Sequence, residues 1–133
     1  MELVKVLIVD DEPDFLETLV KRLKRRNIDA VGVSSGEAAI ELIETQHFDV
    51  AILDMRMPGM DGIDTLKELK KRTPLTEVIM LTGHASVESG MQGMQIGAFD
   101  YVIKPADFDE LMEKVKQAYQ RKQLHEERVR SPQ

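Results

Sequence analysis

The sequence predicts an α/β fold, a parallel five-stranded sheet sandwiched between two layers of helices. Three observations point to it. Five short runs rich in Val, Ile and Leu recur along the chain, stretches with apolar residues at helical spacing lie between them, and three of the runs are apolar on successive residues. Successive apolar residues are the pattern of strands covered on both faces, and strict alternation of strand and helix is the pattern of parallel crossovers. At 133 residues and 42% hydrophobic positions, the chain can bury one core and is too short for two.

In order, the strands are LVKVLIV (3–9), DAVGV (29–33), DVAILD (49–54), EVIML (77–81) and DYVIK (100–104). The first helix is expected from Phe15, Leu16, Leu19, Val20 and Leu23, with Pro13 suited to its first turn. Ala39, Ile40, Leu42 and Ile43 mark the second, with Ser34 and Glu37 at capping-box spacing. Ile63, Leu66 and Leu69 mark the third, which Asp61 is placed to cap after the Met57–Gly62 turn. Val87, Met91 and Met94 mark the fourth, stopped at Gly97. Phe108, Leu111, Met112 and Val115 mark the fifth, with Asp107 and Glu110 again at capping-box spacing.

Composition narrows the function. The net charge of −6 and the absence of a basic stripe argue against direct nucleic-acid binding. With no cysteine there is neither a disulfide framework nor thiolate chemistry. No apolar run reaches membrane-spanning length, and Lys5 interrupts the opening one, so a soluble, cytoplasmic protein without membrane contact is expected.

Sheets of this kind bind ligands beyond the carboxyl ends of their strands, near the point where strand order reverses. Asp10 and Asp11 end the first strand, Asp54 the third, Thr82 the fourth and Lys104 the fifth. In a 2-1-3-4-5 order, three carboxylates converge on one crevice with a hydroxyl and an ammonium facing them. Unpaired carboxylates at such range repel unless a cation sits among them, and hard oxygen ligands without His or Cys select Mg2+ or a similar ion. Asp10, Asp11 and Asp54 are therefore the expected metal cradle. Glu12 and Asp14 are read as favouring the start of the first helix.

VLIVDDEP (6–13), AILDMRMPGMDG (51–62), LTGHAS (81–86) and AFDYVIKPAD (98–107) resemble, in order and spacing, the signature blocks of bacterial two-component response regulator receiver domains. The resemblance runs from residue 4 to about residue 120. It implies a flavodoxin-like (βα)5 three-layer sandwich of order 2-1-3-4-5, with residues 1–122 as the receiver and 123–133 as a charged tail or linker. It implies that Asp54 accepts a phosphoryl group from a histidine kinase or phosphotransfer protein. Asp10 and Asp11 would hold Mg2+, completed by the backbone carbonyl of Arg56, and Thr82 and Lys104 would read the phosphoryl oxygens. Gly83 would leave room for the incoming group, and the peptide bond before Pro105 would be cis. Thr82 and Tyr101 would form a switch that alters the face of the fourth helix, fifth strand and fifth helix, met by a downstream protein, a fused output domain or a second copy in a phosphorylation-dependent dimer. Such a domain catalyses its own phosphorylation and dephosphorylation and has no separate turnover substrate.

Other residues have ordinary readings. His47 and His84 are solvated histidines, with His84 near the site; His125 belongs to the charged tail; Met80, Met91 and Met94 are packing residues. Residues 116–130 are a solvated extension of the last helix or a linker. Two rivals differ in class. An aspartyl-phosphate phosphatase would also start from a strand-end aspartate, but resembles Asp-x-Asp there, where this chain has Arg56. A flavodoxin-like electron carrier needs a phosphate loop after the first strand, and here that loop is acidic.

Overall fold

The structure, a computed structural model, describes residues 3–57, 59–83 and 87–130. Pro58, His84, Ala85 and Ser86 of the blocks quoted above, with the side chain of Val87, lie outside the described residues. The elements run β1 (Lys5–Val9), α1 (Pro13–Arg25), β2 (Asp29–Val33), α2 (Gly36–Leu42), β3 (Val50–Asp54), α3 (Gly62–Arg72), β4 (Glu77–Thr82), α4 (Val87–Ile96), β5 (Asp100–Ile103) and α5 (Phe108–Arg130). The sheet is parallel throughout, in the order β2-β1-β3-β4-β5. Among the described residues, no helix is long and apolar enough to cross a membrane.

Each central strand divides its side chains between two cores, because successive residues point to opposite faces. Val6 and Ile8 of β1 pack with Leu19 and Leu23 of α1 and Leu111 and Val115 of α5. Leu7 and Val9 pack with Ala39 of α2 and Leu66 and Leu69 of α3. Burying each large aliphatic side chain contributes about 1.5–3 kcal/mol, so the successive apolar residues of β1, β3 and β4 stabilise both layers at once.

The helix ends are set locally. Pro13 opens α1, and Asn27, at φ 62, turns the chain so that the Ile28 N–H reaches the Leu23 carbonyl. The cap of α2 is Ser35 rather than the expected Ser34: its Oγ accepts from the Ala38 N–H at 3.0 Å. Glu37 is thereby freed from a capping box, and its carboxylate takes the Met60 N–H at 3.3 Å. Asp61 caps α3 through the Asp64 N–H at 2.9 Å, and Gly97, at φ 123, ends α4.

The methionines of α4 correct the sequence reading. Met80 is fully buried, but Met91 and Met94 are 62% and 40% exposed. The reason is that α4 rests on the sheet through Gly90 and Gly93, both buried. A Cβ at Gly93 would collide with the Met80 sulfur. Met80 fills the space that a side chain on α4 would otherwise occupy, so Met91 and Met94 turn outward. The glycines that lower its intrinsic helix propensity are what allow the close approach.

At its other end, α5 continues without a break to Arg130. Lys122 on this extension is 4% exposed, with its ammonium 2.7 Å from Asp49 and 2.9 Å from Glu126. His125 lies on the same helix, and His47 is exposed in the loop before β3.

Candidate functional site

The registers of β1, β3, β4 and β5 bring the sequence-predicted residues to one edge of the sheet. Val9 pairs with Leu53, so Asp10 and Asp54 stand next along two adjacent strands. Asp54 pairs with Leu81, which places Thr82 one step beyond on β4. The Lys104 N–H donates to the Thr82 carbonyl at 2.7 Å, tying the end of β5 to the end of β4. The Lys104–Pro105 peptide bond is cis.

Asp11, Glu12, Asp54, Arg56, Gly83 and Lys104 line a crevice of about 330 Å3 at this edge. Asp10 and Thr82 are buried beneath it, 0% and 1% exposed. A larger cleft of about 500 Å3 lies at the opposite pole around Asp49, Lys122 and Glu126, but those charges satisfy one another.

Within the crevice, one ammonium faces three carboxylates. Lys104 Nζ lies 3.1 Å from Asp10 Oδ2, 3.2 Å from Glu12 Oε1 and 3.6 Å from Asp54 Oδ2, and 4.8 Å from the centroid of the Phe15 ring. Burial alone would lower the pKa of Lys104, but its bond to Asp10, the charges of Asp54 and Asp10 and its bond to Glu12 outweigh that and raise it. The ammonium is therefore charged at neutral pH. The pKa of Asp54 is raised as well, which for a carboxyl favours the neutral form. Burial raises its pKa above the ordinary carboxylate value, against the Arg56 N–H, which donates to Oδ1 at 3.1 Å, and against Lys104; Asp10 and Asp11 push it further up.

The donor set suits a hard divalent cation. Carboxylate oxygens of Asp10, Glu12 and Asp54 lie within 4.8 Å of one another, and one ammonium leaves these three charges under-neutralised. Glu12 was assigned above to the helix start. It occupies the N-cap position of α1, yet its side chain makes no capping bond and turns to Lys104 instead. Asp11 lines the same crevice outside that trio. A signal for Glu12 was present in the sequence: it stands directly between the Asp10–Asp11 pair and Pro13, at the edge where ligands collect.

Residues 6–116 match the response regulator receiver domain family. This chain belongs to that family. The receiver is 39% identical over 123 residues to the regulatory protein AtoC of Escherichia coli, spanning 92% of this chain and 27% of AtoC. It is 39% identical over 111 residues to the response regulator protein PilR of Pseudomonas aeruginosa, spanning 84% of this chain and 25% of PilR. It therefore spans about a quarter of the length of these curated relatives. Solved structures agree. The receiver domain of the Francisella response regulator 1452 superposes with a TM-score of 0.81 at 36% identity, covering 89% of this chain and 98% of that one. A response regulator receiver domain protein from Clostridium thermocellum gives 0.88 at 35% identity, covering 92% and 98%. The expected fold, five parallel strands in the order 2-1-3-4-5 with five helices, is the observed one. In this receiver Asp10, Asp54, Thr82 and Lys104 come from four strand ends to one place, and Tyr101 stands apart on β5, 38% exposed.

Proposed function

We propose that this receiver is a phosphorylation-activated switch of a two-component phosphorelay in which Asp54 is the phosphoryl acceptor. The observation that carries the reading is the setting of Asp54: a buried strand-end carboxylate with Lys104 3.6 Å away and Asp10, Asp11 and Glu12 around it.

A carboxylate oxygen of Asp54 attacks the phosphorus of a phosphohistidine or a small acyl phosphate. The P–N or P–O bond to the donor breaks, its electron pair leaves with the imidazole or carboxylate, and an acyl phosphate remains on Asp54. The imidazole leaving group takes its proton from solvent. Asp10, Glu12 and Asp54, with Asp11 and the Arg56 carbonyl beside them, are the residues that would hold Mg2+. When bound, Mg2+ neutralises charge on the transferring oxygens. Lys104 supplies a positive charge beside Asp54, and Thr82 offers a hydroxyl from the end of β4. The Arg56 N–H holds one Asp54 oxygen, orienting the carboxylate.

The partners that fit are a histidine kinase or phosphotransfer protein as donor, with a downstream protein, fused output domain or second copy as reader. Met91, Met94, Tyr101 and Ile103 are exposed apolar residues on α4 and β5, which supports that face as the one read. Residue 56 being Arg rather than a second acid favours a retained phosphoryl group over phosphatase turnover. Incubation with Mg2+ and acetyl phosphate adds one phosphoryl mass to the protein, and Asp54→Asn gains none; labelling that survives the substitution would refute the assignment.

A further inference from the structure

We propose that Glu12 is a positioning residue which holds the Lys104 ammonium at the mouth of the crevice and yields it when an anionic phosphoryl group arrives at Asp54. The inference rests on the phosphoacceptor reading above and concerns how Lys104 changes partner.

The backbone aims Glu12 at this task. Its N–H donates to Asp10 Oδ1 at 2.9 Å, which fixes residue 12 over the strand end, and Pro13 begins α1 immediately after. A side chain at the N-cap position would ordinarily accept a helix N–H. Glu12 does not, and its Oε1 lies 3.2 Å from Lys104 Nζ. The ammonium has three protons to donate. It lies within hydrogen-bond distance of Asp10 and Glu12, while Asp54 at 3.6 Å is too far for one. Lys104 is thus held by its two neighbours more closely than by the acceptor.

The two holders are not equivalent. The Asp10 side chain is 0% exposed and that of Glu12 is 65% exposed. A buried carboxylate that loses its cation is left uncompensated in low dielectric, whereas an exposed one is rehydrated at little cost. When phosphoryl oxygens demand a proton from Lys104, Glu12 is the partner that can be released.

Opposite effects on two ligands follow. Glu12 is one of three carboxylates whose oxygens lie within 4.8 Å of one another, so its charge favours Mg2+. The same charge repels an anionic phosphoryl mimic and competes with it for Lys104. Calorimetric titration of the whole chain and of Glu12→Gln, first with Mg2+ and then with beryllofluoride at saturating Mg2+, separates the two. The exposed position of Glu12 makes the variant tolerable to the fold. The variant binds Mg2+ more weakly and beryllofluoride more tightly, each by about two- to fivefold, the range of a partly exposed ion pair. A merely structural role would weaken both together. Any result in which beryllofluoride does not bind more tightly, or Mg2+ does not bind more weakly, overturns the role of Glu12. If the unaltered chain binds neither ligand, the phosphoacceptor reading falls with it.

Discussion

Lys122, near the end of α5, buries its ammonium 2.7 Å from the Asp49 carboxylate just before β3, and Arg121 beside it reaches the buried Glu77 at the start of β4, 3.4 Å away. Asp49 and Glu77 are themselves joined, the Glu77 N–H donating to the Asp49 carbonyl at 3.1 Å. Two consecutive basic residues beyond residue 116, where the family match ends, therefore anchor the helix extension to the two central strands at the pole opposite the crevice.

Lys122→Met should destabilise the fold by about 1–3 kcal/mol. The value is below that for breaking a fully buried pair because Asp49 is partly exposed and keeps the Lys5 N–H at 2.9 Å. Burial opposes the charged form of Lys122, but its bonds to Asp49 and Glu126 outweigh this and raise its pKa above the ordinary 10.5. The stabilisation is thus fully present below that value and lost as pH rises through the folded pKa. Urea unfolding at neutral pH measures the first effect. Thermal unfolding in the alkaline range measures the second: the melting temperature of the unaltered protein should fall more steeply there than that of Lys122→Met.

Asp54→Asn should stabilise the unphosphorylated fold by about 1 kcal/mol or less at neutral pH. Asn keeps an oxygen for the Arg56 N–H and removes a buried charge that Asp10 and Asp11 repel. Because the folded pKa of Asp54 is raised above 3.8, its favourable contribution is complete below that value and lost as pH rises through the folded pKa. The advantage of the variant should accordingly shrink as the solution is made acidic. An advantage that is constant with pH, or reversed at neutral pH, would contradict the sign.

If the crevice holds Mg2+ as proposed, the ion should stabilise the protein by mass action, because the unfolded chain lacks the assembled site. A concentration ten times its dissociation constant adds about 1.4 kcal/mol. Asp11→Ala should flatten that response, because Asp11 lines the crevice, and raise stability without metal by relieving repulsion on Asp54. Differential scanning with and without Mg2+ is the measurement, and an unchanged Mg2+ response in the variant would remove Asp11 from the cradle.

Hydrogen exchange with and without beryllofluoride should change most across residues 82–105 and little in β1 and β2. Thr82 is bonded to Lys104 through the backbone. Gly90 of α4 lies against both Thr82 and Tyr101: a Cβ placed on it would sit 3.8 Å from each. A displacement at the end of β4 must therefore be accommodated where Tyr101 and α4 meet, so the two can respond as one element. The largest change appearing in α1 or α2 would move the output face elsewhere.

The sequence alone determined the layers, the strand count and the five strand-end residues Asp10, Asp11, Asp54, Thr82 and Lys104 that gather at the crevice. These follow from local rules: successive apolar residues in β1, β3 and β4 require cover on both faces, and polar residues that interrupt such runs must stand at strand ends. What only the tertiary structure decided was which groups share space. Met91 and Met94 have the spacing of a buried stripe, yet they face outward, because the distance between α4 and the sheet is set by Gly93 against Met80, residues on different elements. Lys122 reads as one more charge in a solvated helix until Asp49, 73 positions away, is placed beside it. Glu12 has the sequence position of a helix cap, but Lys104, 92 positions away, takes its carboxylate. Periodicity records which face of an element is buried; the partner of a charge depends on chain segments that meet only when the sheet closes.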